Sequence, residues 1–378
     1  MTGKYTLLLI LSLLISSLLF SQESHHEDSH GEKEEFKIGD MIMHHVLDSH
    51  DWHITDIPKG NGEYTPVALH LPWIFYSSRD GVVFSSTHGL EEKGYVAHHD
   101  KLYALKEGAH VDHTHSEGHS EVHLDDHWIE ENTDHAVSIW DFSLTKTSLQ
   151  MIIIGILLVL TFGAVAKGYS RNDGQAPKGI QSFFEPIIMF IRDDVAKPFL
   201  GDNTYRFLPY LLTLFFFIWF SNLLGLTPFN SNIAGNISVT AALALLSMIM
   251  INWNGSKDYW KHIFLAPGLP KFLLPLMVIV EFIGVLTKPF ALAIRLFANI
   301  SAGHFMVLSM VGMLFIMGKG GESVVGATAI SPISIGFTAG IFLLEMIVAV
   351  IQAFIFTLLT AAFLGMAMES HDHHEAHH

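Results

Sequence analysis

Apolar residues are concentrated in the later part of the chain, and their distribution predicts two regions of different kind. From about residue 147 almost to the end, long apolar stretches follow one another, whereas polar and charged residues dominate before that point. A helix that crosses a bilayer needs about 20 mainly apolar residues. Three stretches are close to that length, and we predict that each is a transmembrane helix: Leu149–Ala166, Phe207–Leu226 and Ile233–Trp253.

Two later apolar stretches, Phe272–Met317 and Pro332–Met368, are far longer than one span requires. Each is compatible with two spans or with one long, strongly tilted helix, and hydropathy alone does not choose between them. A shorter segment, Ile180–Ala196, is amphipathic, with apolar residues on one side and charged residues at its end. This pattern is typical of a helix that lies at the membrane interface.

The first residues have the pattern of a secretory signal peptide. Lys4 supplies a positive charge, Leu7–Phe20 is a short apolar core and Ser21-Gln22 is a plausible cleavage point. We therefore predict a signal peptide over residues 1–21, with a true first transmembrane helix as the alternative. Cleavage would place the region that follows outside the cytoplasm.

Residues 22–141 form a polar region that contains 25 of the 37 acidic residues, 7 of the 21 basic residues and 18 of the 25 His. Residues 64–104 alternate or cluster apolar positions as short strands do, and Arg79-Asp80-Gly81 is typical of a hairpin turn. We predict an acidic, His-rich extracytoplasmic domain over 22–141 that contains a small β structure. A transmembrane domain over 142–370 and a His-rich cytoplasmic tail over 371–378 follow it.

Charge composition narrows the function classes. The formal net charge is −16, and the acidity of the polar region argues against nucleic acid as a partner. The chain has no cysteine, so disulfide bonds and thiolate metal sites are excluded.

Basic residues cluster after the first and third predicted spans, and the positive-inside rule makes those loops cytoplasmic. The uncharged 227–232 link then lies outside, in agreement with an exported N-terminal domain.

Several ionisable side chains interrupt the long apolar stretches. An Arg at the bilayer centre costs at least about 2.5–3.5 kcal/mol even on lenient scales, so such residues usually mark a pathway. Glu281, Lys288 and Arg295 are seven residues apart, about two helical turns, and are therefore predicted to line one face. Asn299 extends that stripe by one turn, whereas His304 lies about 180° around the helix from Arg295.

A second polar stripe lies on the last apolar stretch, where Glu345 and Gln352 are also seven residues apart. Two helices that each present a polar stripe predict a hydrophilic path inside the membrane. Other interpretations stay open at this point. Lys288 would also be explained by snorkelling to a helix end, Glu281 by pairing with Lys288, His304 by a structural hydrogen bond and Arg295 by a structural salt bridge.

The sequence around Arg295 carries a specific signature. Ala291-Leu-Ala-Ile-Arg-Leu-Phe-Ala-Asn-Ile300 resembles the motif of the a subunit of F-type ATP synthases: small residue, aliphatic residue, Arg-Leu, a variable residue, small residue, Asn. The resemblance also covers Asn222-Leu-Leu-Gly-Leu-Thr-Pro228 and Gln352-Ala-Phe-Ile-Phe-Thr-Leu-Leu-Thr360, and it spans residues 145–370.

This resemblance implies an all-α polytopic membrane protein with five transmembrane helices, the last two long and tilted against a rotating ring of c subunits. It implies the proton-channel subunit of the membrane sector, located in the bacterial inner membrane with a cytoplasmic C-terminus. The peripheral-stalk b subunits and the rest of the complex are the further implied partners. No cofactor is expected, and the chain is not an enzyme on its own.

The motif match also implies roles for individual residues. Arg295 corresponds to the essential arginine that faces the ring carboxylate, with Gln352 near it and Asn299 one turn along. Glu281 corresponds to a carboxylate of the cytoplasmic access channel.

Further matches and departures concern the channel lining. Asn222 and Asn230 match polar channel positions. Many bacterial members carry Glu where this chain has His304 and His where it has Glu345. We expect this exchanged pair to keep a proton-relay role, since a carboxyl and an imidazole can still relay a proton between two facing helices.

Two other function classes are open from the residues alone. A secondary transporter would use Arg295 to bind an anionic substrate, but it would favour internal repeats, and none is visible in the sequence. A metal transporter would draw on the His-rich domain, where His110, His113 and His115 are weak candidate ligands. The predicted spans lack paired His/Asp ligand motifs, which counts against metal transport.

Overall fold

The computed structural model describes residues 51–58, 64–98, 101–106, 108–109, 126–134, 136–171, 175–227, 233–265, 272, 274–317 and 324–369. The side chains of residues 51–69 and of some residues in the last two helices, His304 among them, fall outside this description. The described chain divides into two compact units, with the boundary between Gln150 and Met151. The predicted signal peptide, the C-terminal tail, Asn230 and the candidate ligands His110, His113 and His115 lie outside the described residues.

The N-terminal unit is built largely from short antiparallel strands. They are β1 (Asp51–Pro58), β2 (Tyr64–His70), β3 (Trp73–Ser77), β4 (Gly81–Ser85), β5 (Tyr95–His98), β6 (Lys101–Ala104) and β7 (Ile139–Asp141), with the short helix α1 (Asp126–Asn132) before β7. β1 pairs with β2, β3 lies between β4 and β7, and β5 pairs with β6. The predicted hairpin at Arg79-Asp80-Gly81 is present: Ser77 pairs with Gly81, and Gly81 has the positive φ of 75° that the turn needs.

Tyr95 is fully buried in the hydrophobic core of this unit. Its ring packs against Phe75 at 4.8 Å, and its hydroxyl donates a 2.6 Å hydrogen bond to Asp80 Oδ2. The Arg79 guanidinium lies 4.6 Å from the centre of the same ring and donates to Asp80. The Tyr95 hydroxyl, followed by Arg79, holds the pKa of Asp80 below its usual value. The stability that this contact contributes is therefore present above the usual pKa of an Asp and lost as the pH falls below it.

The second unit is helical throughout its described part. It contains most of α2 (Lys146–Arg171), then α3 (Ile180–Phe190), a π-helical segment (Ile191–Ala196), α4 (Lys197–Leu200), α5 (Thr204–Gly225), α6 (Ile237–Trp253), α7 (Lys257–Leu265), α8 (Leu274–Met317) and α9 (Val324–Met368). Four described helical runs are long and apolar enough to cross a membrane, or five if α6 and α7, bent by 103°, count as one. The predicted all-α polytopic class is confirmed.

Each of the two longest apolar stretches is a single continuous helix. α8 has 44 residues and α9 has 45. At 1.5 Å per residue each is about 66 Å long, about twice the 30 Å hydrocarbon layer of a bilayer. Because both helices are apolar over nearly their whole length, they fit into that layer only when strongly inclined. The choice that hydropathy left open is thus settled in favour of one long, tilted helix for each stretch.

The amphipathic segment α3 packs against a predicted span. Phe184 of α3 contacts Phe216 and Phe220 of α5, with ring centres 5.6 and 6.3 Å apart, and Phe162 of α2 at 5.6 Å. Lipid tails are as apolar as Phe, so these helices are held together by close packing rather than by removal from water. The location of α3 at the membrane interface stays a prediction.

Gly365 of α9 allows a close approach that no other residue would permit. A Cβ atom at this position would lie 2.3 Å from the backbone oxygen of Phe199 in α4. We expect Gly365→Ala to destabilise the protein by about 1–3 kcal/mol, because backbone cannot move aside as a flexible side chain can. The midpoint of thermal unfolding of the purified chain in detergent would measure this loss.

The matched control is Gly340→Ala in the same helix, where an added Cβ meets nothing within 4 Å. Ala is the better helix former by about 1 kcal/mol, so this variant should be neutral or more stable. Equal midpoints for the two variants would contradict the close approach at Gly365.

Candidate functional site

Arg295 lies in the middle part of α8, on a face that the described residues leave uncovered. Leu292, Leu296 and Ile300 are buried, whereas Arg295 and Asn299 are exposed. Among the described residues, no carboxylate comes within ion-pair distance of Arg295. A charged Arg on an apolar helix requires a partner charge or water. Arg295 is therefore exposed on the described part of the chain, and its partner charge or water has to come from outside the described residues.

Glu281 and Lys288 do not share the environment of Arg295. Both are half-buried, although the spacing of seven residues predicts one common face. A straight α-helix drifts by about 20° per heptad, so the polar stripe winds from a covered side of α8 onto the exposed side. The three residues therefore lie along one path but meet different neighbours.

Glu345 lies against the backbone of α8. Its side chain is 3% exposed, and a Cβ atom at Gly303 would lie only 2.7 Å from Glu345 Oε1. That oxygen has no hydrogen-bond partner among the described residues. The turn of α8 that Glu345 touches also carries His304, so the backbone brings the two members of the predicted pair to the same level. The His304 side chain itself lies outside the described part.

Asn222 of α5 completes this polar region. Its side-chain nitrogen donates to the backbone oxygen of Ala349, which lies between Glu345 and Gln352 on α9, at 3.2 Å. Asn222 and Gln352 are 2% and 7% exposed. We call Asn222, Glu345 and Gln352, together with the buried Ser221 that precedes Asn222 in α5, the Glu345 cluster.

The Glu345 cluster contains hydrogen-bonding capacity that the described residues leave unused. Ser221 Oγ, Asn222 Oδ1 and Glu345 Oε1 are all buried and have no partner among the described atoms. An unsatisfied buried polar atom costs about 1–3 kcal/mol. Water is the usual partner for such atoms, since a buried water typically makes two to four hydrogen bonds. The cluster thus has the chemistry of a hydrated cavity.

A second polar group lies on the other side of Arg295 along α8. Lys288 Nζ is 5.1 Å from the ring centre of Phe363, a cation–π distance. Together with Ser247, Asn252 and Tyr259, these two residues line a cleft between α6, α7, α8 and α9. We call it the Lys288 cleft. The Tyr259 hydroxyl donates to Asn252 Oδ1 at 3.1 Å.

Glu281 lies close to a residue that the sequence did not indicate. His262 Nδ1 of α7 is 3.9 Å from Glu281 Oε1, and the His262 side chain is 55% exposed. In the Lys288 cleft, Ser247 Oγ lies 3.0 Å from the Tyr210 hydroxyl, and both are buried. A carboxyl, an imidazole and several hydroxyls are thus distributed over the helices α5 to α8.

Metal ligation finds no support in the described residues, where no group of three or more His, Asp or Glu is close enough to hold an ion. His110, His113 and His115 fall outside them. The fold and the two polar groups define a polytopic membrane protein with ionisable side chains inside its layer of spans, which is the arrangement of an ion-conducting path.

Comparisons with known proteins identify the family. The family model for the ATP synthase A chain matches residues 148–365. "ATP synthase subunit a" of Chloroherpeton thalassium is 42% identical over 245 residues, which is 63% of this chain and 71% of that protein. "ATP synthase subunit a 2" of Chlorobaculum tepidum is 43% identical over 249 residues, covering 64% and 68%. The chain belongs to the ATP synthase A chain family, whose members are the proton-channel a subunits of ATP synthases.

The N-terminal unit has its own match. A family model for a domain of unknown function covers residues 41–142. This match ends at residue 142, six residues before the A chain match begins. Neither the secondary-transporter nor the metal-transporter alternative finds support among the relatives.

Proposed function

We propose that protons cross the membrane along two half-paths in this chain, which meet at Arg295. The observation that carries this proposal is the position of Arg295 between the two polar groups. Along α8, Lys288 precedes Arg295 by seven residues and Gly303, which Glu345 touches, follows it by eight. At 1.5 Å per residue these are distances of about 10 and 12 Å in opposite directions.

The outer half-path runs through the Glu345 cluster. Glu345 and His304 exchange protons with water held by the unpaired oxygens of Ser221 and Asn222, and Asn230 is a further proposed member of this half-path. A carboxyl and an imidazole can both bind and release protons, which suits a relay. Gln352 and Asn299 supply neutral hydrogen-bonding groups close to Arg295.

The inner half-path runs from the Glu281–His262 pair through the Lys288 cleft. The exposed His262 meets solvent, while Glu281 is half-buried. Lys288 lies at the edge of the cleft, beside the ring of Phe363. The hydroxyls of Tyr259, Tyr210 and Ser247 provide donors and acceptors along the way.

Arg295 separates the two half-paths and acts on the carboxylate of each passing c subunit. In lipid that carboxylate is stable only when protonated. At about 4 Å from Arg295, with an effective dielectric of about 20, the ionised form gains about 4 kcal/mol. The ring carboxylate therefore releases its proton to one half-path, passes Arg295 ionised and is reprotonated from the other. Protons then cross only when the ring turns.

The uncovered faces of α8 and α9 fit a partner of this kind. Large apolar side chains that include Ile294, Leu343 and Ile347 are exposed on them, and Arg295 lies among them. We assign these faces to the c-ring. Peripheral-stalk b subunits, an extracytoplasmic N-terminal domain, a cleaved signal peptide and a cytoplasmic C-terminus in a bacterial inner membrane complete the proposed arrangement.

Glu281→Gln tests the inner half-path. We expect ATP-driven proton pumping by the assembled complex to fall about tenfold or more, because the amide cannot exchange a proton. Dye-monitored acidification of vesicles would measure the rate. Asp202→Asn is the control, since it removes one exposed carboxylate outside the proposed path and should leave pumping unchanged. Equal rates for both variants, at equal amounts of assembled complex, would remove Glu281 from the path.

A further inference from the structure

The three-stranded sheet of the N-terminal unit has two apolar faces. On the inner face, Trp73, Phe75 and Val83 are buried in the core. The strand register puts the intervening residues of all three strands on the outer face, since Tyr76 pairs with Val82 on one side and with Trp140 on the other, and Ile74 pairs with Phe84. Phe142 extends this face, because its backbone nitrogen bonds the oxygen of Ile74. We call Ile74, Tyr76, Val82, Phe84, Trp140 and Phe142 the aromatic face.

The described residues leave the aromatic face uncovered. Val82, Phe84 and Trp140 are 62%, 63% and 65% exposed, and Tyr76 is 49% exposed. An antiparallel sheet that meets water normally alternates apolar residues inward with polar residues outward. Here none of the six outward residues is charged, and four are aromatic. Apolar patches of this kind mark a surface that contacts another phase or molecule.

Chain connectivity keeps Trp140 close to the start of the first membrane helix. β7, which carries Trp140, ends at Asp141, and the first membrane helix begins at Lys146. Thr145 caps that helix, accepting from the backbone nitrogen of Ser148 at 3.2 Å. At no more than about 3.4 Å per residue, Trp140 lies within about 20 Å of the start of the helix.

The composition of the aromatic face fits the boundary between lipid and water. Trp and Tyr are enriched there because one end of each side chain is apolar and the other forms hydrogen bonds. At the rim of the face, Lys93 Nζ donates to the backbone oxygen of Phe84. A Lys in this position suits the phosphate groups of lipids. The face is also continuous, through Phe142, with the chain that enters the membrane.

We propose that the aromatic face of the N-terminal unit docks on the membrane surface, with Tyr76, Phe84 and Trp140 inserted at the level of the lipid headgroups. The unit is then held against the bilayer. This role is separate from proton transfer and does not depend on the residues of the two half-paths.

Spin labelling tests the docking, because the chain contains no cysteine and a single one can be introduced. Val82→Cys and Glu92→Cys, each labelled with a nitroxide in the full chain reconstituted into lipid vesicles, form a matched pair. Both positions are exposed in the same unit, but only Val82 lies on the aromatic face. Collisions of the label with oxygen, which dissolves in lipid, and with a water-soluble nickel complex report its surroundings.

The docking predicts that the label at 82 collides more often with oxygen than with nickel, while the label at 92 shows the opposite. Frequent nickel collisions at both positions would mean that the face meets water, and would overturn the proposal. Infrequent collisions with both agents at 82 would mean that protein covers the face, and would overturn it equally. Phe84→Cys provides a second position on the face, so a local disturbance at 82 does not decide the result.

Discussion

Arg295→Ala is expected to reduce ATP-driven proton pumping by the assembled complex to background, while passive proton leak through the membrane sector stays the same or rises. The physical reason is that Arg295 stabilises the ionised ring carboxylate by about 4 kcal/mol, a factor of about 10³ in equilibrium. Without this stabilisation the ring carboxyl stays protonated as it passes residue 295. The positive charge that separates the two half-paths is also lost. Vesicle acidification and passive leak would be measured on the same preparation.

The control for this prediction is Arg206→Ala, which removes an exposed arginine that donates to Asn254 at 3.1 Å. Its pumping should remain close to wild type. Coupled pumping that survives in Arg295→Ala would mean that the arginine is structural. Loss of both pumping and leak would mean that it serves conduction itself and does not separate the half-paths.

Glu345→Gln is expected to slow coupled pumping by about 10²-fold, the size of effect that a proton-transferring group supplies. The amide has nearly the same shape, so the buried site beside Gly303 stays filled, but the group no longer titrates. Glu345→Asp should recover part of the rate, because it restores a carboxyl at a slightly greater distance. Initial rates of acidification at matched amounts of complex would be compared.

Glu369→Gln is the matched control for Glu345→Gln, since Glu369 follows the end of the same helix and is exposed. It should pump at the wild-type rate. A Glu345→Gln variant that also pumps at the wild-type rate would show that the buried carboxyl is not on the outer half-path, and the relay with His304 would have to be abandoned.

Hydropathy predicted the membrane part of the fold well because the signal is local. The first predicted span, Leu149–Ala166, lies inside the observed helix Lys146–Arg171, and the third, Ile233–Trp253, contains α6. Polar residues at the ends of a helix dilute the signal, so the observed boundaries differ by a few residues. Hydropathy could not predict that α8 and α9 are each continuous. The hydropathy of a long apolar stretch is the same whether or not a turn divides it into two helices.

The Glu345 cluster shows which part of a site the sequence can reveal. Glu345 and Asn222 stand out because a polar residue in an apolar stretch is anomalous. Their neighbours do not stand out in the same way. Gly303 is an ordinary residue in a membrane helix, and only packing shows that its missing side chain makes room for Glu345. Ser221 is likewise common, and its unpaired hydroxyl is visible only in three dimensions.

Most residues of the proposed inner half-path could not be identified from the sequence. Glu281 was indicated, but its neighbour His262 lies on the short amphipathic helix α7, where a His is unremarkable. Tyr210 and Ser247 sit on different helices, and their contact depends on how α5 packs against α6. Long-range pairings of this kind leave no pattern of spacing, so one sequence cannot predict them.

The measurement that tests the two half-paths most directly uses silver ions and two conservative substitutions, Ser221→Cys and Ser247→Cys. Both hydroxyls are buried, at 2% and 0% exposure. Tyr210, the partner of Ser247, is separated from Ser221 by eleven residues of α5, or about 17 Å. The wild-type chain has no cysteine and serves as the control.

Pumping by the assembled complex in vesicles would be followed after silver is added to one face at a time. We predict that Ser247→Cys is inhibited only from the cytoplasmic face and Ser221→Cys only from the opposite face. Inhibition of both variants from the same face, or of neither from any face, would contradict two half-paths that meet at Arg295.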